Sequence, residues 1–451
     1  MEAIARYFRF EERGTTLGTE ARAGLTTFMV MAYILFVNGA ILTGGFEALG
    51  VTDSHWTLAT IAAATALVAG IMTIAMGVVG NYPFALAAGL GINAIVAFSL
   101  TGRGLTPAGA MGVIVLEGLL VTLFVVVGLR EAIMNAVPIA LKRAIGVGIG
   151  LFILFLGFAN GGIVVAGAGT LVTISFPTEP GQWVFLAGLL ITIVLYAMKI
   201  RAALVISILL TTLLAILVGV ASIPDAADLI VTPKFDTLGQ FDLFQVFDKL
   251  PLVTALLVVF AIMLTDFFDT MGTVTGVAAE AGLANEDGSV PGVGRVLLVD
   301  SLAAVAGGVS GVSSNTTYIE SAAGVAEGGK TGFTSVVTGV LFLIAILLSP
   351  IALIVPAEAT APALVLVGYL MFTLIKDIPV GDVEDGLPAL LTMILMPLTY
   401  DITVGIGAGF ISWVVIKLVR GKMSEIHWLM WLVSLAFVVF FAQSWIDMLL
   451  A

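Results

Sequence analysis

Asp266, Asp269 and Thr273 fall at i, i+3 and i+7 inside an apolar run, a spacing that puts all three on one face of a helix. Two carboxylates this close in low-dielectric surroundings cannot both stay ionised comfortably, and a proton-coupling site needs that behaviour. A third carboxylate, Glu320, stands in the stretch 311–324. Seven hydroxyl or amide residues crowd the same window: Ser313, Ser314, Asn315, Thr316, Thr317, Tyr318 and Ser321. An acid at membrane depth is costly and marks function by default. Irregular Gly- and Ser-rich backbone survives there only where it lines a cavity or is buried in protein. The stretch predicts a broken helix capped by Ser313, Ser314 or Asn315, with its positive dipole end toward a binding site and Glu320 just over one turn in.

A further polar patch runs from Asn81 to Asn93. Pro83 biases Asn81 and Tyr82 toward extended backbone, and Gly89 and Gly91 permit a break and a close approach. Asn93 then lies on the first turn of the next helix, where it either meets a ligand or bonds the backbone at a kink. Glu117 and Asp300 lie within apolar runs and read first as partners of polar groups on neighbouring helices. Glu358 and the cluster Asp377–Asp385 read as loop charges, and His55 and His427 as edge residues without a metal-ligand partner at useful spacing.

The elements that carry these residues are membrane helices. The chain has 451 residues, 60% apolar and 11% charged, with a mean hydropathy of +1.16. A soluble domain carries about 25% charge. Fourteen apolar runs lie near 25–43, 57–79, 84–100, 108–129, 144–160, 182–198, 202–221, 252–275, 293–309, 315–326, 332–349, 361–374, 386–400 and 402–419; a further one, 427–449, reads as a packed or peripheral helix. The polar N-terminus lacks a cleavable signal pattern, so the first run is expected to be retained. The third and tenth runs are too short to span alone and occupy matching places if the chain is halved near residue 240. Paired interrupted segments of this kind point to a transporter site.

With the N-terminus inside and fourteen crossings, fifteen basic residues (Arg6, Arg9, Arg13, Arg22, Arg130, Lys142, Arg143, Lys199, Arg201, Arg295, Lys330, Lys376, Lys417, Arg420, Lys422) fall inside and three (Arg103, Lys234, Lys249) outside. Seven crossings per half make the halves inverted. The fold class expected is an all-α polytopic membrane protein, located in the inner (plasma) membrane with its N-terminus cytoplasmic.

Cysteine is absent, and so are a nucleophile–base pair and a His-Glu-x-x-His motif. No enzyme activity, cofactor, metal or nucleic-acid partner is therefore expected. Converging carboxylates favour a cargo rich in N–H donors, a cation or a coupled proton. A flat heterocycle with N–H edges fits, its face stacking on Phe84, Phe267, Phe268 or Tyr318. An anion exchanger would want its facing helix ends unopposed by acid.

Residues 25–38, 81–93, 266–273 and 317–324 together resemble the nucleobase–cation symporter 2 superfamily, in its hypoxanthine/guanine/adenine (AzgA-like) purine permease branch, and the resemblance covers essentially the whole chain. It departs at Ala88, where the family pattern has proline. The resemblance implies a 7+7 inverted repeat of the uracil-transporter-like fold, with short strands before segments 3 and 10. It implies a core domain of residues 23–130 and 251–349, and a gate domain of 131–250 and 350–451 that mediates homodimerisation. Glu320 and an aspartate of segment 8 would bind the base, with Asn93, Thr317, Tyr318, Phe84, Phe267 and Phe268 around it. The purine branch points to Asp266 and the uracil carriers' acidic motif to Asp269, the other being left for proton coupling. The implied activity is elevator-type, proton-coupled import of purine bases. The alternatives are a uracil- or xanthine-type carrier and an anion exchanger of the same fold.

Overall fold

The computed structural model describes residues 2–128, 136–167, 169–222, 232–285 and 289–450, and for 443–450 the backbone alone. Arg130 of the basic set above, and the boundary at 130/131, lie outside the described residues.

A short helix, Glu2–Tyr7, precedes the first segment, which is α1 (Leu17–Met31) and α2 (Ile34–Ala48) joined at Ala32-Tyr33. Then come α3 (Leu58–Ala75), running on as a π-helical turn Met76–Gly80, strand β1 (Leu86–Ala88), and the half-helix α4 (Leu90–Ala94) with its π-helical continuation Ile95–Leu100. They are followed by α5 (Pro107–Val126), α6 (Ile139–Asn160), the hairpin strands β2 (Val164–Val165) and β3 (Thr173–Ile174), α7 (Pro180–Ala197) and α8 (Ala203–Val218). The second half has α9 (Leu252–Glu280), α10 (Val293–Val309), β4 (Asn315–Thr317), the half-helix α11 (Ser321–Ala326), α12 (Gly332–Ala345), α13 (Ala357–Phe372), α14 (Val383–Thr399), α15 (Ile402–Val419) and α16 (Trp428–Leu450). Among the described residues nine helical stretches are long and apolar enough to cross a membrane, and shorter apolar helices complete the set. The fold is the expected polytopic 7+7 inverted repeat, with strands before segments 3 and 10. The β2–β3 hairpin is additional.

Packing respects the repeat. α3 lies on α12 as α5 lies on α10; α13 packs on α7 as α14 packs on α6; α7–α8 matches α14–α15. Two crossings are made on glycine. A Cβ at Gly332 would collide with the Gly77 carbonyl, and one at Gly368 would stand 2.5 Å from the Gly150 carbonyl oxygen. Without hydrophobic drive between helices in lipid, such small-residue contacts carry association. α16 packs against α15 and α9, and Phe437 is fully buried on Phe410 and Gly407.

Buried charges are matched where they hold elements together. Glu20, fully buried at the start of α1, accepts five hydrogen bonds of 2.6–3.2 Å, from Lys330 N, Thr331 N and Oγ1, and Thr334 N and Oγ1. It acts as an anion bound at the N-terminus of α12. Glu384 corrects the reading of Asp377–Asp385 as loop charge. It lies in the first turn of α14, 5% exposed, where Lys417, Arg420 and Lys422 converge on its two oxygens at 2.6–2.8 Å.

Candidate functional site

β1 and β4 meet as an antiparallel pair, Leu86 opposite Thr317, Ala87 opposite Thr316 and Ala88 opposite Asn315. The strand continues through Ala88 without the family's proline. Two isolated strands at membrane depth leave outer backbone groups that water cannot satisfy, and side chains take that role. The Thr73 hydroxyl meets both Leu86 N (2.9 Å) and Leu86 O (3.1 Å). Ser321 Oγ accepts from Ala85 N, and Ser335 Oγ donates to the carbonyls of Tyr82 and Phe84. Asp300 of α10 accepts Thr317 N (2.9 Å) and Thr317 Oγ1 (2.7 Å) on one oxygen and Thr270 Oγ1 (2.7 Å) on the other, tying β4 to both α10 and α9. The turn before β4 holds Ser313 at φ 70°, a left-handed conformation costly for a residue other than glycine.

The break in segment 10 therefore differs from the expectation. Residues 315–317 form a strand and cap no helix; β-branched Thr316 and Thr317 suit that conformation. α11 starts at Ser321, so Glu320 sits at its N-cap and not a turn inside it. Glu320 is half-buried, and its Oε1 accepts a 2.8 Å hydrogen bond from Tyr33 Oη, at the α1–α2 junction. Tyr33 lies within a motif stretch quoted above. Its partner is 287 residues away, beyond any local signal.

The two aspartates of α9 separate clearly. Asp266 is 1% exposed; Ser314 Oγ donates to its Oδ2 at 3.3 Å, and its Oδ1 has no partner. Asp269 is exposed, deep within the packed body. Gly272, Gly276 and Glu280 continue its exposed stripe to the end of α9. A carboxylate mid-helix must face water and not lipid, so the stripe marks a crevice. Ile319, 53% exposed, faces it, its Cδ1 3.9 Å from where a Gly276 Cβ would stand. Asp269 and Glu320 are electrostatic neighbours.

Asn93 occupies the first turn of α4, fully buried, with neither side-chain atom hydrogen-bonded, and the same holds for Asn315. Asn93 thus does not bond the backbone as a kink residue would. Tyr318 hydrogen-bonds the Ala88 carbonyl across the strand pair. Phe267 and Phe268 are 5% and 8% exposed, with the Lys142 ammonium of α6 5.2 Å from the Phe268 ring centre. Phe84 is fully buried and stacked on Tyr82, centroids 5.0 Å apart, so its faces are occupied by protein. Thr317 is committed to Asp300. The structure thus makes Glu320 and Asp269 electrostatic neighbours, the first half-buried and the second exposed, leaves Asp266 and Asn93 buried, and gives Phe84 and Thr317 to the scaffold. Among the described residues no group of three or more His, Cys, Asp or Glu is arranged to hold a metal ion.

Broken helices meeting at mid-depth around carboxylates, inside an inverted repeat, define a multi-pass membrane permease. The chain belongs to the nucleobase–cation symporter 2 family: the Xan_ur_permease model, described as "Permease family", matches residues 18–408. It is similar to guanine/hypoxanthine permease PbuG of Bacillus subtilis (strain 168), 39% identical over 443 residues, covering 96% of this chain and 98% of that one. It is also similar to adenine permease AdeP of Escherichia coli (strain K12), 37% identical over 443 residues, covering 97% and 95%. In fold it is similar to the transmembrane domain of a cyanobacterium bicarbonate transporter, BicA, with TM-score 0.60 at 14% identity over 87% of this chain and 97% of that one.

Proposed function

We propose that this chain imports purine bases (guanine, hypoxanthine or adenine) across the plasma membrane as a proton-coupled secondary transporter. The observation that carries the reading is the pair Glu320–Asp269: two carboxylates from different elements, electrostatic neighbours that are half-buried and exposed respectively, and unpaired with any cation among the described residues. Acceptor-only groups placed so select a neutral cargo with N–H edges and repel anions, so likeness to a bicarbonate transporter extends to fold alone. The permeases named above, for guanine/hypoxanthine and adenine, support the purine class. Glu320 and Asp269 would receive the N–H edge, Tyr33 would hold Glu320, and Asn93 and Asn315 would supply the buried donors and acceptors that now lack partners. Asp266 is left for the proton.

Segments 1–4 and 8–11 act as the moving core, segments 5–7 and 12–14 as the gate and dimerisation domain. Most helix packing described above falls within one set or the other. Ion pairs link the two sets. Arg103, in the 3–4 connection, pairs with Asp401, in the 13–14 connection. Glu327, in the 10–11 connection, pairs with Arg201, in the 6–7 connection, and with Arg22 at 3.1 Å. The Arg103 and Arg201 pairs are related by the repeat with charges exchanged, so with cytoplasmic N-terminus they lie on opposite membrane faces. Replacing Arg103 by alanine is expected to loosen the outer link and raise labelling of a cysteine placed at Gly102 by an impermeant thiol reagent. Unchanged labelling would mean that the pair does not hold the faces together.

Uptake by proteoliposomes tests the cargo. Labelled hypoxanthine should enter and be competed by guanine or adenine and not by sulfate. Competition by uracil alone would move the reading to a pyrimidine carrier, and sulfate uptake would move it to an anion exchanger.

A further inference from the structure

Glu117 is a buried carboxylate that the base site does not use. It stands mid-way along α5, fully buried, and neither oxygen has a hydrogen-bond partner. Three elements present polar groups to it. The Ser314 hydroxyl lies beside it from the turn before β4, Asp300 is its neighbour on α10, and Asp266 its neighbour on α9. Asp300 is saturated by Thr270 and Thr317. Asp266 is not: its Oδ1 is unpartnered and Ser314 reaches its Oδ2 only at 3.3 Å. Asp269 follows one helical turn beyond Asp266. The short helix Gln245–Lys249 packs on α5 as well, but its Asp248 and Lys249 are exposed and its Gln245 meets Thr106 and Gly109, at the far end of α5. Among the described residues no Lys, Arg or His forms an ion pair with Glu117, Asp266 or Asp300.

Ser314, whose hydroxyl reaches Asp266 at 3.3 Å, is thus neighbour to two buried carboxyl groups that no cation among the described residues pairs with. Two ionised carboxylates in that setting would cost far more than a bound proton. We propose that Glu117 and Asp266, bridged by Ser314, share a proton and form the coupling site of the transporter, separate from the base-binding pair Asp269 and Glu320. This rests on the transport reading above. The step balances without any other reactant. A proton arriving at Asp269 from the crevice passes to Asp266. The Asp266 O–H bond then breaks as Ser314 Oγ accepts that proton, while the original Ser314 O–H breaks and its proton forms an O–H bond on Glu117. Ser314 directly precedes β4, and β4 leads through Tyr318 to Glu320. Occupancy of the pair therefore changes the hydrogen bonding of the same stretch that presents Glu320.

The test uses full-length protein in proteoliposomes with two readouts. Labelled hypoxanthine counterflow needs the base site and no net proton movement; uptake driven by an inward proton gradient needs both. Glu117→Gln should retain counterflow and lose gradient stimulation by roughly tenfold, the size of an ordinary coupling energy. Retained gradient stimulation overturns the proposal. An infrared measurement reads the site without transport: the C=O stretching band of a buried protonated carboxylic acid should be present in the parent protein and weakened in Glu117→Gln. An unchanged band overturns the proposal even if the cargo is not a purine, whereas absent counterflow in the parent protein with the expected band loss contradicts only the cargo. Should Glu117→Gln fold poorly, Ser314→Ala keeps both carboxyl groups and removes the bridge; it should slow gradient-driven uptake and spare counterflow, and unaltered gradient-driven uptake in it would refute the relay.

Discussion

Replacing Glu320 by glutamine is expected to weaken purine binding by about 1.5–3 kcal/mol, roughly ten- to a hundredfold in Kd, while the protein stays folded. Glutamine keeps the shape, but an amide NH2 takes the place of one acceptor oxygen and confronts an N–H of the base. Hydrogen bonds to a charged acceptor are the strong ones, so this loss should exceed that of any neutral contact in the site. The fold has little to lose: Glu320 is half-buried and makes no side-chain cap to α11, and the hydrogen bond from Tyr33 can pass to the amide oxygen. Tyr33→Phe should cost less, because it frees Glu320 to reorient without removing the acceptor. Calorimetry on the purified variants reads both. An unchanged Kd in Glu320→Gln would remove Glu320 as a ligand.

Asp300→Ala should act on the fold instead. It strips the partners from Thr317 N, Thr317 Oγ1 and Thr270 Oγ1, all buried. At about 1–3 kcal/mol for each stranded group, the loss is on the order of 3 kcal/mol or more. Because Thr317 N is the outward edge of β4, the damage falls on the strand that positions Glu320, and base binding should fail together with stability. Asp300→Asn keeps one acceptor oxygen and should fall between. Thermal unfolding in detergent, followed with and without base, is the measurement. A variant as stable as the parent would mean that water replaces the carboxylate and that Asp300 does not hold the strand pair.

The architecture was legible because lipid leaves few choices. An apolar run there is a helix, and breaks such as 81–93 and 311–324 stand out against uninterrupted runs. Long-range geometry was not legible. Nothing near Glu20 announces that residues 330–334, some three hundred positions on, will wrap it. Asp266 and Asp269 share a helix face by spacing, yet the structure buries one, against Ser314, and exposes the other. Glu320 moved from helix interior to helix N-cap because the polar run before it forms β4, whose pairing with Leu86–Ala88 no local pattern encodes. Phe84 read as a stacking surface for a flat cargo, and Tyr82 takes that surface.

Uptake of labelled hypoxanthine by proteoliposomes with and without an inward proton gradient tests the central claim most directly. Uptake that is saturable, competed by guanine or adenine and accelerated by the gradient is the expected result. Hypoxanthine that enters no faster than into protein-free vesicles, under either condition, would contradict it.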